Sequence, residues 1–250
     1  MKNVSLVAFY GDKPSQLTTL IQRLQTYLTN HHLLEGKFVP YQLSQVHGTI
    51  IGCEGTETNL GIINHWFDKC RQEKRYIDFA GLTNYLQHQL NFPLTIQFGG
   101  YDRHIDYNFL SRNYHPYVRS FQLQPAVNQT IPVLIGWSWS NEQISLAIDN
   151  LRRDLQQFNL LHKYHAIQES IDNDFYLRLG TIDAMLTPET IQVISGEIRN
   201  LLKIQSPGKI ALGKENLAFA QYQDLSLDPA ITQTIPVSEI TTNKLKQLYL

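Results

Sequence analysis

Apolar residues recur along the chain with two different periods, and each period predicts one kind of element. Helical spacing over residues 15–30, 143–161 and 188–203 predicts amphipathic helices. Short apolar or alternating runs predict strands at 4–10, 93–98, 117–123, 131–139, 175–182 and 217–222. Residues 38–52 are expected to be extended, and residues 58–89 to form two helical pieces broken around 75–81.

The order of these elements repeats in the two halves of the chain. Helix 15–30 precedes a strand that carries residues 47–50, and helix 143–161 precedes a strand that carries residues 175–182. We therefore predict an α+β fold with two similar lobes, antiparallel-rich sheets around a central cleft, and helices outside. No linker-like segment separates the lobes, so residues 1–250 are expected to form a single two-lobed domain.

Composition narrows the class of protein. Hydrophobic residues make up 42% of the chain and the formal net charge is −1, which argues against disorder and against a strong global field for nucleic acid or anionic membranes. Cys53 and Cys70 are too few for a disulfide framework and lack the spacing of a zinc site. No signal segment or run of 18 apolar residues is present, so we expect a cytoplasmic protein without a membrane partner.

The segment His-Gly-Thr-Ile at residues 47–50 is the pattern that most clearly indicates chemistry. On a strand, residues i and i+2 face the same side, so His47 and Thr49 are expected to point into one cleft. An imidazole transfers protons near neutral pH, and a hydroxyl two residues away binds a phosphate oxygen. The pair is therefore suited to one half of a phosphodiester site.

This segment resembles the H-x-[ST]-x motif of the 2H phosphoesterase superfamily, which occurs twice in a two-lobed α+β fold. The superfamily includes bacterial RNA 2′,3′-cyclic phosphodiesterases and plant cyclic phosphodiesterases. In it, one motif histidine acts as base, the other acts as acid, and the motif hydroxyls hold the phosphate. His47 and Thr49 match the first motif, which implies a catalytic and a phosphate-binding role for them.

The second motif departs from the family pattern. The segment at residues 173–180 resembles the expected strand and keeps Leu179-Gly180, but Tyr176 stands in place of histidine and Arg178 in place of Thr or Ser. A phenol with a pKa near 10 is a poor base at neutral pH but can act as an acid. The Arg178 charge is expected to lower the pKa of Tyr176 and to bind a phosphate.

The resemblance implies a protein that hydrolyses or binds a cyclic phosphate or an RNA-end phosphodiester. His47 and Tyr176 are the candidate catalytic residues, Thr49 and Arg178 the candidate substrate-binding residues. The expected partner is a phosphate-containing small molecule or an RNA end, and no metal or other cofactor is implied. Two alternatives stay open: an inactive binding or regulatory protein that keeps the cleft, and an unrelated fold with an accidental H-x-T, for which His47 and Tyr176 should lie far apart.

Overall fold

A computed structural model describes residues 1–204 and 208–250 of the chain. The strands are β1 (Val4–Ala8), β2 (Phe38–Pro40), β3 (Gly48–Gly52), β4 (Gly55–Thr58), β5 (Gly61–Asn64), β6 (Leu94–Phe98), β7 (Phe121–Ala126), β8 (Gln129–Ser140), β9 (Gln143–Ile144), β10 (Phe175–Arg178), β11 (Gly180–Ile182), β12 (Gly208–Leu212), β13 (Leu217–Gln221) and β14 (Gln233–Pro236). The α-helices are α1 (Ser15–Thr29), α2 (His65–Arg71), α3 (Phe79–Asn84), α4 (Pro116–Arg119), α5 (Ala147–Asp154), α6 (Pro188–Ile204) and α7 (Thr242–Gln247).

The strands build one large antiparallel sheet and a separate β4–β5 hairpin. The order across the large sheet is β12-β6-β8-β10-β3-β1-β13-β14, with β7, β9 and β11 also paired to β8, and β2 paired to β11. The sheet curls into a half-barrel with helices outside it, which confirms the predicted α+β class. The two halves of the chain meet at several strand pairs, among them β10 with β3, β13 with β1 and β12 with β6. Within the described residues, no helix is long and apolar enough to cross a membrane.

The helices cover the sheet with the apolar faces that their periodicity predicts. In α1, the buried side chains include Leu17, Ile21, Leu24 and Leu28, which follow one another at intervals of three or four residues. This helix lies against β2 and β12. Helix α6 begins at the predicted residue and extends one residue further than expected. The largest cluster of buried hydrophobic side chains draws on both ends of the chain, so the two halves share it.

Two predicted helical segments begin later than their sequence pattern suggested. Residues 143–144 form β9, because Asn141 and Glu142 adopt positive φ angles of 47° and 60° that reverse the chain after β8. Residues 58–64 belong to the β4–β5 hairpin, where the Thr58 hydroxyl oxygen accepts a hydrogen bond from the Leu60 amide and Gly61 has a φ of 145°. The helical interpretation of these residues is wrong.

Three predicted extended segments are interrupted, and the one at residues 175–182 is divided into β10 and β11 at Leu179. Within residues 38–52, a turn closed by a hydrogen bond from the Gln45 amide to the Gln42 carbonyl separates β2 from β3. Within residues 117–123, β7 starts only at Phe121, because Pro116 opens the short helix α4 and the His115 side chain caps it.

Candidate functional site

Strands β3 and β10 lie side by side in the middle of the sheet, and they carry the residues that the sequence singled out. Leu177 of β10 is the antiparallel partner of Gly48 in β3. Continued by one residue in each direction, this antiparallel register brings together the residues on either side. These partners form two pairs: His47 with Arg178, and Thr49 with Tyr176. The charge of Arg178 acts on both His47 and Tyr176, as expected for side chains that lie close together across the two strands.

All four of these residues line one cavity of about 410 Å³. The alternation of the strands explains why: Gly48, Phe175 and Leu177 are buried on the opposite face, and the residues between them face the cavity. The large separation between His47 and Tyr176 that an accidental motif predicts is not found.

His47 is held in the neutral form and in one tautomer. The ring is buried, and its Nδ1 lies 2.7 Å from the Gln45 carbonyl oxygen. Because a carbonyl only accepts, Nδ1 carries the proton and the lone pair is on Nε2. Burial lowers the pKa of His47 to about 4, and the charges of Arg178 and Lys13 act in the same direction. At neutral pH the ring is therefore an uncharged base.

Tyr176 is held as a protonated phenol. Its hydroxyl donates a hydrogen bond to the side-chain oxygen of Gln124. Burial raises the pKa of Tyr176 to about 12, although the charges of Arg178, Arg119 and Arg112 oppose the shift. The sequence predicted that Arg178 would lower this pKa; its charge does act downward, but desolvation outweighs it, and the predicted net direction is wrong.

Arg178 is a half-buried cation that lines the same cavity as the His47 imidazole. Its charge acts on His47, and its guanidinium also interacts with the Tyr41 hydroxyl. A planar guanidinium with parallel N–H groups binds phosphate oxygens in pairs. Together with the Thr49 hydroxyl on the neighbouring strand, it can hold an anion beside Nε2 of His47.

A buried acidic segment immediately before β10 positions that strand. Asp174 accepts hydrogen bonds from Ser111 at 2.5 Å, from the Trp137 indole at 2.8 Å and from Arg119 at 2.9 Å. All of these groups are nine-tenths or more buried, so the carboxylate charge is matched by a guanidinium and by neutral donors. Asp174 therefore fixes the start of β10 against the β8 side of the sheet.

Arg152 of α5 ties the two central strands together. The pairing of β1 with β3 skips Ile50, which leaves a bulge in β3. The buried Arg152 guanidinium donates to the carbonyl oxygens of Thr49 and Ile50 in that bulge, and to those of Asp172 and Asp174 before β10. One side chain thereby sets the relative position of the two strands that carry the site.

Arg112 and Lys163 are further cations that line the cavity. The Arg112 guanidinium lies 4.1 Å from the Tyr164 ring centroid and within 4 Å of the carboxylates of Asp172 and Asp174. Lys163 also lines the cavity, with its ammonium group 4.7 Å from the Tyr164 ring. Both cations line the same cavity as Arg178, and the carboxylates of Asp172 and Asp174 offset the charge of Arg112.

The far end of the cavity has a different character. Its lining includes Glu54, Trp66 and Tyr222, and Glu54 accepts a hydrogen bond of 2.6 Å from the Trp66 indole. The Tyr222 hydroxyl donates to the same carboxylate over 3.4 Å. The cavity therefore combines an aromatic part around the Glu54 carboxylate with the part lined by His47 and Arg178.

Sequence reasoning missed several residues of this site. It assigned no chemistry to His162, which lines the cavity, and it overlooked Arg112, Asp172 and Glu54. One signal was available: Arg152 follows Leu151 on the apolar face of α5, and an arginine on a buried helix face needs partners.

Comparison with protein-family models, with curated proteins and with solved structures gives no match for this chain.

Proposed function

We propose that this chain is a 2H phosphoesterase-like protein that binds a cyclic phosphate or an RNA-end phosphodiester and hydrolyses it slowly. The observation that supports the proposal is that His47 and Arg178, which flank the Leu177–Gly48 pair on neighbouring strands, line one cavity. An uncharged imidazole next to a guanidinium is a combination that can bind a phosphate and activate a nucleophile beside it.

In the proposed step, Nε2 of His47 takes a proton from a water molecule whose oxygen attacks the phosphorus. A new P–O bond forms while the bond from phosphorus to one ribose oxygen breaks. That oxygen takes a proton from the Tyr176 hydroxyl. The resulting phenolate regains a proton from the protonated His47 through solvent. Thr49 and Arg178 hold the non-bridging oxygens. A base with a pKa of about 4 and an acid with a pKa of about 12 both have weak driving force near pH 7, hence the slow turnover.

A second candidate function is an inactive binding protein that keeps the cavity. The observation in its favour is the hydrogen bond from Tyr176 to Gln124, because it commits the only proton of that phenol to a protein acceptor. In this case Arg178 and Thr49 bind the phosphate group, and no bond is broken.

We further propose that the protein binds its ligand in the cytoplasm. Cys53 and Cys70 are both free thiols, as suits a reducing compartment.

Incubation of the full chain with a 2′,3′-cyclic nucleotide separates the two candidates. The enzyme proposal predicts conversion to a ribose phosphate monoester, and a loss of about 10²–10⁴ in kcat for His47→Ala. The exposed His104 offers a matched control, so His104→Ala should leave the rate unchanged.

No conversion by the wild-type chain, or an unchanged rate in His47→Ala, would rule out hydrolysis. Binding without conversion that weakens in Arg178→Ala would then support the binding protein. Absence of both binding and conversion would contradict both candidates.

A further inference from the structure

The end of the cavity away from His47 contains the carboxylate of Glu54, and strand β3 leaves room for it at Gly52. A Cβ on Gly52 would lie 2.4 Å from Oε2 of Glu54, so the carboxylate occupies the space that a side chain at this position would need. Gly52 lies on the cavity face, only three residues beyond Thr49. The carboxylate is therefore close enough to the proposed phosphate position for one small ligand to contact both.

The groups that hold Glu54 are neutral. Ser5 lies 3.1 Å from the Tyr222 hydroxyl, which donates to Oε1 of Glu54, and the Trp66 indole donates to Oε2. Burial, followed by the charge of Glu54, raises the pKa of Tyr222, so this hydroxyl stays protonated and donates. Every hydrogen bond in this cluster is therefore directed toward the carboxylate.

Glu54 has acceptor capacity left for a ligand. A carboxylate accepts about four hydrogen bonds, and the two donors from the protein use one position on each oxygen. Across the described ranges 1–204 and 208–250, no Lys, Arg or His side chain lies within 4 Å of these oxygens as an ion-pair partner. A cavity-lining carboxylate without a cation is suited to N–H donors of a ligand.

We propose that the cluster of Glu54, Trp66 and Tyr222 is a base-binding subsite that selects guanine. The Watson–Crick edge of guanine presents adjacent N–H donors at N1 and N2, which pair with the two oxygens of a carboxylate. Adenine, cytosine and uracil each place an acceptor next to the donor on that edge, so one carboxylate oxygen meets a lone pair. The aromatic side chains beside Glu54 supply apolar surface for the purine ring.

This inference rests on the proposed function, because the phosphate at His47 and Arg178 anchors the other end of the nucleotide. Both ends line the same cavity of about 410 Å³, within the range of small-molecule sites. The subsite therefore names the substrate class as a guanosine 2′,3′-cyclic phosphate or an RNA end with a terminal guanosine.

Calorimetric titration of the full chain tests the subsite. The probes are the 2′,3′-cyclic phosphates of guanosine, adenosine, cytidine and uridine, together with guanosine and inorganic phosphate. We expect the guanosine form to bind at least about tenfold more tightly than the other three, since a charge-assisted hydrogen bond is worth that much or more. Glu54→Gln should remove the preference without a general loss of binding, and Glu57→Gln, at an exposed position on β4, should keep it.

The outcomes separate the subsite from the phosphate site. Equal affinity for all four nucleotides, preference for another base, or a guanine preference that survives in Glu54→Gln overturns the subsite and leaves phosphate binding in place. Binding of guanosine that depends on Glu54, with no binding of phosphate and no gain from the cyclic phosphate, supports the subsite and overturns the proposed function. No binding of any probe overturns both.

Discussion

Gly48 of β3 lies against the ring of Phe175 in β10, so closely that a Cβ on Gly48 would be 2.3 Å from the ring's Cζ atom. Both residues are buried, and both belong to the face opposite the cavity. The glycine between His47 and Thr49 is thus required by packing against the second half of the chain. This contact allows β3 and β10 to lie close together, and their closeness positions the residues of the site.

We predict that Gly48→Ala destabilises the fold by about 1–3 kcal/mol or more, because the methyl group must displace a packed aromatic ring. Urea unfolding measures this change. Gly196 in α6 has open space around its would-be Cβ, so Gly196→Ala should instead be neutral or stabilising by up to about 1 kcal/mol. A Phe175→Leu background should reduce the loss from Gly48→Ala; an equal loss in both backgrounds contradicts the contact.

Arg152→Met is expected to lower the free energy of unfolding by about 3–5 kcal/mol, since it leaves several buried carbonyl oxygens without donors. Arg152→Lys should recover less than half of the loss, because an ammonium group lacks the planar fork that reaches both strands. The exposed Arg103 provides the control, with Arg103→Met near neutral. Full rescue by lysine in urea unfolding would show that only the charge matters.

Arg178→Ala is predicted to weaken the binding of a 2′,3′-cyclic nucleotide by about 10- to 150-fold, the value of a hydrogen bond to a charged group. Because Arg178 is only half-buried, the free energy of unfolding should change little. Calorimetric titration gives the affinity, and Arg178→Lys should be intermediate. Unchanged affinity in Arg178→Ala would place the phosphate elsewhere in the protein.

The pH dependence follows from the depressed pKa of His47. This pKa is about 4 in the fold and about 6.5 in the unfolded chain, so the unfolded state takes up the proton first as the pH falls. His47 has no effect on stability above about pH 7, and it destabilises the fold progressively between about pH 6.5 and 4, by about 3 kcal/mol in total.

His47→Asn should therefore lose less stability than the wild type between pH 7 and 4. The buried His162 and His165, whose pKa values are also lowered, contribute equally to both proteins and cancel in the comparison. For the same reason the hydrolysis rate should hold from pH 8 to about 5. Parallel stability curves, or a rate that falls with a midpoint near pH 6.5, would contradict the lowered pKa of His47.

Elements with a strong local pattern could be predicted from the sequence. Helix α6 and the buried strand β1 match their predicted positions closely, because an apolar stripe or run suffices to specify each. The hairpin at residues 55–64 escaped prediction since its turn depends on Thr58 and Gly61 rather than on apolar spacing.

The central part of the site could also be predicted, because strand alternation and the repeated order of elements bring residues 47, 49, 176 and 178 together. The supporting groups could not. Arg152 acts through backbone carbonyls more than 100 residues away, and Asp174 is held by groups of β8 and of the segment around α4. Such contacts depend on the tertiary arrangement and produce no pattern in the spacing of residues along the sequence.

A crystal structure of the chain bound to a slowly hydrolysed 2′,3′-cyclic phosphorothioate nucleotide tests the central claim most directly. We predict that the phosphorus group lies between Nε2 of His47, the Thr49 hydroxyl and the Arg178 guanidinium, with the nucleotide inside the cavity. A nucleotide bound on any other surface, while this cavity holds only solvent, would contradict the account.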